Sequence, residues 1–166
     1  KSLTLEAYRS VFGNSKILTG YKNTVMITVT ATVINLVMTT ICAYPLSRRD
    51  FWGRNGFTIF ITFTMFFSAG MIPNYLLIRN LSLLDNRWAL ILPGAISVYN
   101  MLIMRNYFQN SVPEEIIEAA TIDGCSNLQT LIRVVLPLSK SIYAVLIIFY
   151  AVSHWNSYFD AMVYLT

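Results

Sequence analysis

Few residues in this chain could do chemistry, and half of the acidic ones sit together. Glu114, Glu115, Glu118 and Asp123 are four of the eight acidic side chains, all within one polar stretch, Ser111 to Lys140 (SVPEEIIEAATIDGCSNLQTLIRVVLPLSK). Carboxylates in that number could serve acid–base catalysis or hold a metal, but both need partners that the stretch lacks. It has no histidine, and Cys125 stands without a second thiol, so neither a metal centre nor a disulfide is expected there. Cys42 and the single histidine, His154, lie in apolar runs, again without metal-ligating neighbours. No H-E-x-x-H, paired intramembrane aspartates or Walker-type phosphate loop occurs. The chemistry that remains is recognition. Carboxylates pair with arginine on another surface, and Ala119 and Ala120, beside Glu118, would let that surface approach closely.

What would position these groups is a pair of short helices. Ser111 with Glu114 fits a capping box, and Pro113 suits a first turn, where its missing N–H costs nothing. The first helix is predicted to run through Ala120 and end near Gly124, a natural C′ residue. Ser126 with Gln129 supplies a second capping box. Leu128, Leu131, Ile132 and Val135 then form one apolar face, with Leu136-Pro137 as the stop. Ala120 and Gly124 are also spaced like the alanine and turn glycine of a DNA-binding helix-turn-helix. Charge argues against that: Arg105 to Lys140 carries four acids and three bases, and the second helix offers only Arg133 to phosphate. No nucleic-acid partner is expected. A connector packed on its own protein stays open beside the docking reading.

The chain around this insert has 166 residues, 55% hydrophobic and 12% charged, with a mean hydropathy of +0.55. Soluble domains carry about 25% charge, so this composition points to a membrane protein. An aromatic content of 14% suits helices crossing two lipid–water interfaces. The net charge of +4 comes from scattered basic residues and asks for no partner beyond lipid headgroups. Four spans are expected, at about residues 23–44, 57–72, 88–104 and 142–165, against the roughly 20 residues that cross hydrocarbon. Residues 1–22 are too polar to span and read as an interfacial segment, with Tyr8, Val11 and Phe12 on one side. No signal peptide opens the chain and no polar tail closes it, so it is expected to be a fragment of a longer polytopic protein.

Within the first span Thr24, Thr28, Thr32, Asn35 and Thr39 recur every three or four residues and form one polar stripe. Lipid would penalise that stripe, so it faces other helices, either as packing or as the wall of a hydrophilic path. Pro45 reads as the end of the span, and Arg48, Arg49 and Arg54 after it suggest the cytoplasmic side. The second span is expected to stop at Pro73 and the third to be kinked by Pro93-Gly94. The fourth carries Ser153, His154, Asn156, Ser157 and Asp160 in its later half, with Asp160 near the outer interface, where its charge can reach water. Basic residues counted by side come out six against six, so charge alone sets the orientation weakly.

Glu118-Ala119-Ala120, Asp123-Gly124 and Leu136-Pro137, at this spacing, resemble the EAA loop of inner-membrane permease subunits of binding-protein-dependent ABC importers. Leu3-Thr4-Leu5-Glu6-Ala7-Tyr8, Met71-Ile72-Pro73, Arg105-Asn106-Tyr107-Phe108 and His154-Trp155-Asn156-Ser157-Tyr158 are similar to the carbohydrate branch, on the maltose-type G-subunit side. The resemblance covers nearly the whole chain. Cys125 stands where alanine is common in the family, Leu131 where phenylalanine is, and Ser141 where proline is. Leu131 keeps its helix face apolar.

The resemblance implies an all-α polytopic transmembrane bundle in the bacterial cytoplasmic membrane, with four spans here of an expected six and a cytoplasmic coupling loop over residues 111–140. It implies that Glu118, Ala119, Ala120, Asp123, Gly124, Leu136 and Pro137 meet a separate ATPase: Glu118 as charge partner, the alanines as close-contact surface, Gly124 as the turn. Implied partners are a second homologous permease subunit, two ATP-binding subunits and an extracytoplasmic solute-binding protein. ATP would be bound by the ATP-binding subunits, so this chain is expected to be no enzyme and to hold no cofactor. Candidates to line the path of a sugar or oligosaccharide are Asn35, Thr39, Tyr150, Ser153, His154 and Ser157, with interhelix hydrogen bonding as the other reading of the same residues. The alternatives are an importer of a non-sugar solute and an ion-coupled carrier; the latter would want a carboxylate at mid-span, and no expected span has one centrally.

Overall fold

The computed structural model describes residues 15–67 and 69–165, and all regular structure among them is helical. Most of the interfacial segment expected over residues 1–22, including Tyr8, Val11 and Phe12, lies outside the described residues. The first helix, α1 (Ser15–Ser47), has 33 residues, about 50 Å at 1.5 Å each. Among the described helices it alone is long and apolar enough to cross a membrane by itself.

Two expected boundaries disappear inside α1. Residues 15–22, read as interfacial, are its first turns, and Pro45 lies in its last turns instead of ending it. A proline disturbs the turn N-terminal to it, where the Ile41 carbonyl loses a donor, but the residues after it can stay helical. The helix then closes with Ser47 Oγ donating to Tyr44 O (2.7 Å) and the Arg48 N–H donating to Pro45 O (3.2 Å). Its two faces are inverted relative to a soluble helix. Thr28, Thr32, Asn35 and Thr39 are buried, while Val25, Val29, Val33, Val37 and Ile41 are exposed. That distribution suits lipid outside and protein inside. Thr24, the first residue of the expected stripe, is only half-buried and donates to Gly20 O.

The remaining expected spans are broken helices. α2 (Arg54–Thr64) starts after Gly53, at φ 81°, and α3 (Met71–Asn80) starts after Gly70, at φ 84°. Residues 57–72 are therefore not one helix. Pro73 is no stop either: it falls in the first turn of α3, where N–H groups have no intrahelical acceptor and a proline loses nothing. Pro93-Gly94 does not kink a continuous helix but lies between α4 (Trp88–Ile91) and α5 (Val98–Ser111). α5 opens on Ser97, whose Oγ accepts the Asn100 N–H at 3.4 Å. The insert follows as α6 (Glu114–Ile122) and α7 (Asn127–Leu138). After a bend of 84° comes α8 (Lys140–Trp155), and a turn at Asn156-Ser157 leads to α9 (Tyr158–Tyr164), so residues 142–165 also form two helices.

Two apolar cores lie along α1. One joins Ala43, Tyr44 and Leu46 of α1 to Met101, Met104 and Phe108 of α5, Leu131 and Val135 of α7, and Leu146 and Tyr150 of α8. The other joins Ile78 of α3, Ala89 and Leu90 of α4 and Tyr164 of α9, with Ile27 of α1 packed against it. Tyr75 stacks on Tyr164 with ring centroids 6.4 Å apart. Between the two cores, polar side chains pin α1 to α8.

Candidate functional site

The insert is built by its caps, though not all of those the spacing suggests. Ser111 is the last residue of α5, and the Ser111–Glu114 capping box does not form; Pro113 is the N-cap of α6 and makes no side-chain cap. The chain spends Ser111 on finishing one helix, so it is unavailable to start the next. The C-terminal end behaves as its glycine predicts. Gly124 adopts φ +80°, its N–H donates to Thr121 O (3.0 Å), and the Cys125 N–H donates to Ala120 O (3.0 Å). These are the two bonds of a Schellman turn. Ser126 then caps α7 in both directions: its Oγ accepts the Gln129 N–H, and Gln129 Oε1 accepts the Ser126 N–H at 2.9 Å.

Leu136-Pro137 does not end α7, which continues to Leu138. Residues Leu131–Val135 form a π-helical turn just ahead of the proline. In a regular α turn the ring of Pro137 would meet the Arg133 carbonyl, and a wider turn relieves that clash. The predicted apolar face splits. Leu131 and Val135 enter the first core, while Leu128 and Ile132 are exposed.

Of the residues assigned to docking, Glu118, Ala119, Asp123, Gly124 and Pro137 are exposed, Leu136 is half-buried and Ala120 is buried. Ala119 is thus open to a partner, whereas Ala120 packs within the chain. Ile122, 86% exposed, adds an apolar side chain that the motif reading missed; its place between Thr121 and Asp123 gave no sign that it would point outward. The insert is tied to the bundle by an ion pair, Arg49 Nε to Glu114 Oε2 at 3.1 Å. The helix that leads into it, α5, is tied to the end of α1 by Arg105 Nε donating to Leu46 O at 2.9 Å and Gln109 Nε2 donating to Ser47 O at 3.4 Å. In the same loop Arg48 grips Asp50 with two bonds of 3.0 Å. The donated hydrogen bond holds the Asp50 carboxyl below its usual range.

The second feature is a cavity of about 760 Å³ beside the polar stripe. Asn35 Nδ2 lies 3.0 Å from His154 Nε2; with the amide donating, the ring carries its proton on Nδ1. Thr39 Oγ1 lies 2.7 Å from the Tyr150 hydroxyl, and Thr40 Oγ1 2.8 Å from that of Tyr143. These three pairs form a ladder between α1 and α8. Asn35, Tyr150, Ser153, His154 and Ser157 all line the cavity. Thr39, fully buried, does not. Asp160 lines it too, together with Asn74, Asn100 and Asn156. An asparagine within the apolar run of α5 was the available signal for Asn100. Asn74 carried none, because its segment read as a loop beyond a span. Asn35 Oδ1 is buried and without a partner, as are the hydroxyls of Thr28 and Thr32.

Residues 35–161 match the family model described as "Binding-protein-dependent transport system inner membrane component". The chain is 43% identical, over 99% of its length and 57% of the relative's, to the polygalacturonan/rhamnogalacturonan transport system permease protein YtcP of Bacillus subtilis (strain 168). It is 45% identical, over 99% of its length and 56% of the relative's, to protein LplC of the same organism. A solved structure of a bacterial ABC transporter involved in the import of the acidic polysaccharide alginate superposes on all of this chain and 59% of that one, with a TM-score of 0.95 and 40% identity. The chain thus spans just over half the length of the relatives it matches.

Proposed function

The chain belongs to the family of inner membrane components of binding-protein-dependent transport systems, and on that premise we propose that it forms part of the translocation path of an ATP-driven sugar or oligosaccharide importer. Its relatives include a permease named for polygalacturonan and rhamnogalacturonan and a transporter that imports alginate. In this reading four spans of six are present, built from the continuous α1 and the broken helices α2 to α5, α8 and α9. The insert α6–α7 faces the cytoplasm and docks on a separate ATP-hydrolysing subunit. A second permease subunit and an extracytoplasmic solute-binding protein complete the assembly.

The observation that carries the coupling reading is the Schellman turn at Gly124 followed at once by the Ser126–Gln129 capping box. Caps at both sides of the turn fix the angle between α6 and α7 without help from a partner. Glu118, Ala119, Ile122 and Asp123 stay exposed around it. A rigid, mixed charged and apolar knob is what a moving partner can push. The test is Glu118→Lys and Glu118→Gln in the full-length protein within its assembled transporter. Both variants should insert in the membrane, and the lysine variant should lose co-purification with the ATPase more than the glutamine variant. Wild-type recovery of the ATPase with Glu118→Lys would sink the assignment of that residue. The cavity is the proposed path. The solved relative imports an acidic polysaccharide, which makes the charge of the saccharide the next question.

A further inference from the structure

The cavity wall has an uneven inventory of charge. Asp160 is the one carboxylate among its described lining residues, and no lysine or arginine is among them. The other polar groups are neutral: Asn74, Asn100 and Asn156 supply amides, and Tyr150 a hydroxyl. With the Asn35 amide donating to His154 Nε2, the histidine ring is a neutral acceptor in this arrangement. Ser97, Ser153, Ser157 and Tyr164 add further hydroxyls, and leucine, isoleucine, alanine and proline side chains make up most of the apolar wall. Amides and hydroxyls satisfy sugar hydroxyls as donors or acceptors, and aliphatic surface suits the apolar faces of the rings. Neither compensates a carboxylate.

We propose that Asp160 sets the charge preference of this cavity, favouring a neutral saccharide over one bearing carboxylates; the proposal rests on the cavity being the saccharide path. A sugar hydroxyl can donate to Asp160 in a charge-assisted hydrogen bond. A uronate carboxylate cannot donate at neutral pH, and it carries the same charge as Asp160, so close approach of the two is repulsive even with water at the exposed Asp160 carboxylate weakening the interaction. Asp160 stands in the first turn of α9 and is exposed. Substituting it therefore removes charge without opening the core.

The experiment uses the full-length permease in its assembled transporter, reconstituted in proteoliposomes with its binding protein. Initial uptake of galactotriose and of trigalacturonate is compared for wild type, Asp160→Asn, Asp160→Ser and Asp160→Glu. Asp160→Asn and Asp160→Ser should raise the trigalacturonate-to-galactotriose ratio about tenfold, the effect of one repulsive contact of about 1.4 kcal/mol, while Asp160→Glu keeps the wild-type ratio. A ratio unmoved or lowered in both neutral variants, with saccharide uptake intact, overturns the role of Asp160 and leaves the permease reading standing. A wild-type transporter that carries neither of these nor any other saccharide of a panel of neutral and acidic oligosaccharides overturns both.

Discussion

Asn35 sits where the inner stripe of α1 meets the cavity, with its amide nitrogen on His154 and its Oδ1 unpaired. Thr39, one turn on, makes a bond of 2.7 Å to Tyr150 but lies outside the cavity. The two therefore separate packing from path. Thr39→Val should cost about 0.6 kcal/mol, the usual worth of such a bond between membrane helices, and leave uptake unchanged. Asn35→Leu should cost about 1–2 kcal/mol, because it leaves His154 Nε2 buried without a donor, and should also slow uptake. Thermal unfolding and uptake by the assembled full-length transporter read both effects; equal loss of uptake in the two variants would remove the distinction. The stripe itself was legible from spacing alone. The partner of Asn35 was not, since it lies 119 residues away and is chosen by how α8 packs.

The helix ends show which local signals suffice. Gly124 and the Ser126–Gln129 box were readable because a left-handed glycine and a reciprocal cap involve only neighbours in sequence. Ser111–Glu114 matched the same pattern and failed, because α5 extends through Ser111. Ser126→Ala should therefore destabilise the start of α7 by about 1 kcal/mol, seen as faster hydrogen exchange at the Gln129 amide, whereas Ser111→Ala should leave the Glu114–Ile116 amides unchanged. Faster exchange in both variants would mean that Ser111 caps α6 after all. The prolines misled for a different reason. A missing N–H costs nothing in a first turn, so Pro73 could begin α3 as readily as end α2. What divides the helices there is Gly70, at φ 84°. The π turn before Pro137 left no mark in the apolar period.

At the scale of the molecule, α1 runs past two cores, with the cavity beside the second and the insert beside the first. Their separation along one membrane helix gives the proposed orientation a direct check, which the balanced basic residues could not provide. In a full-length protein carrying Cys42→Ser and Cys125→Ser, a membrane-impermeant maleimide should label Asn86→Cys, an exposed position between α3 and α4 that the proposed orientation puts outside, from outside intact cells. It should label Ile122→Cys only after permeabilisation; the reverse pattern would invert the topology. Membrane class was legible from composition, because lipid selects for apolar length, and the all-helical architecture from the family resemblance. The division into broken helices was not, because it depends on contacts between distant segments. Coupling through the insert is the central claim, and ATP-driven uptake by the reconstituted full-length transporter bearing Gly124→Pro tests it most directly. Proline holds φ near −65° and cannot adopt the +80° of Gly124, so the turn is lost while the spans are untouched. Coupling through α6–α7 predicts normal membrane insertion with uptake reduced at least about tenfold, an energetic loss of about 1.4 kcal/mol or more; uptake at the wild-type rate would contradict it.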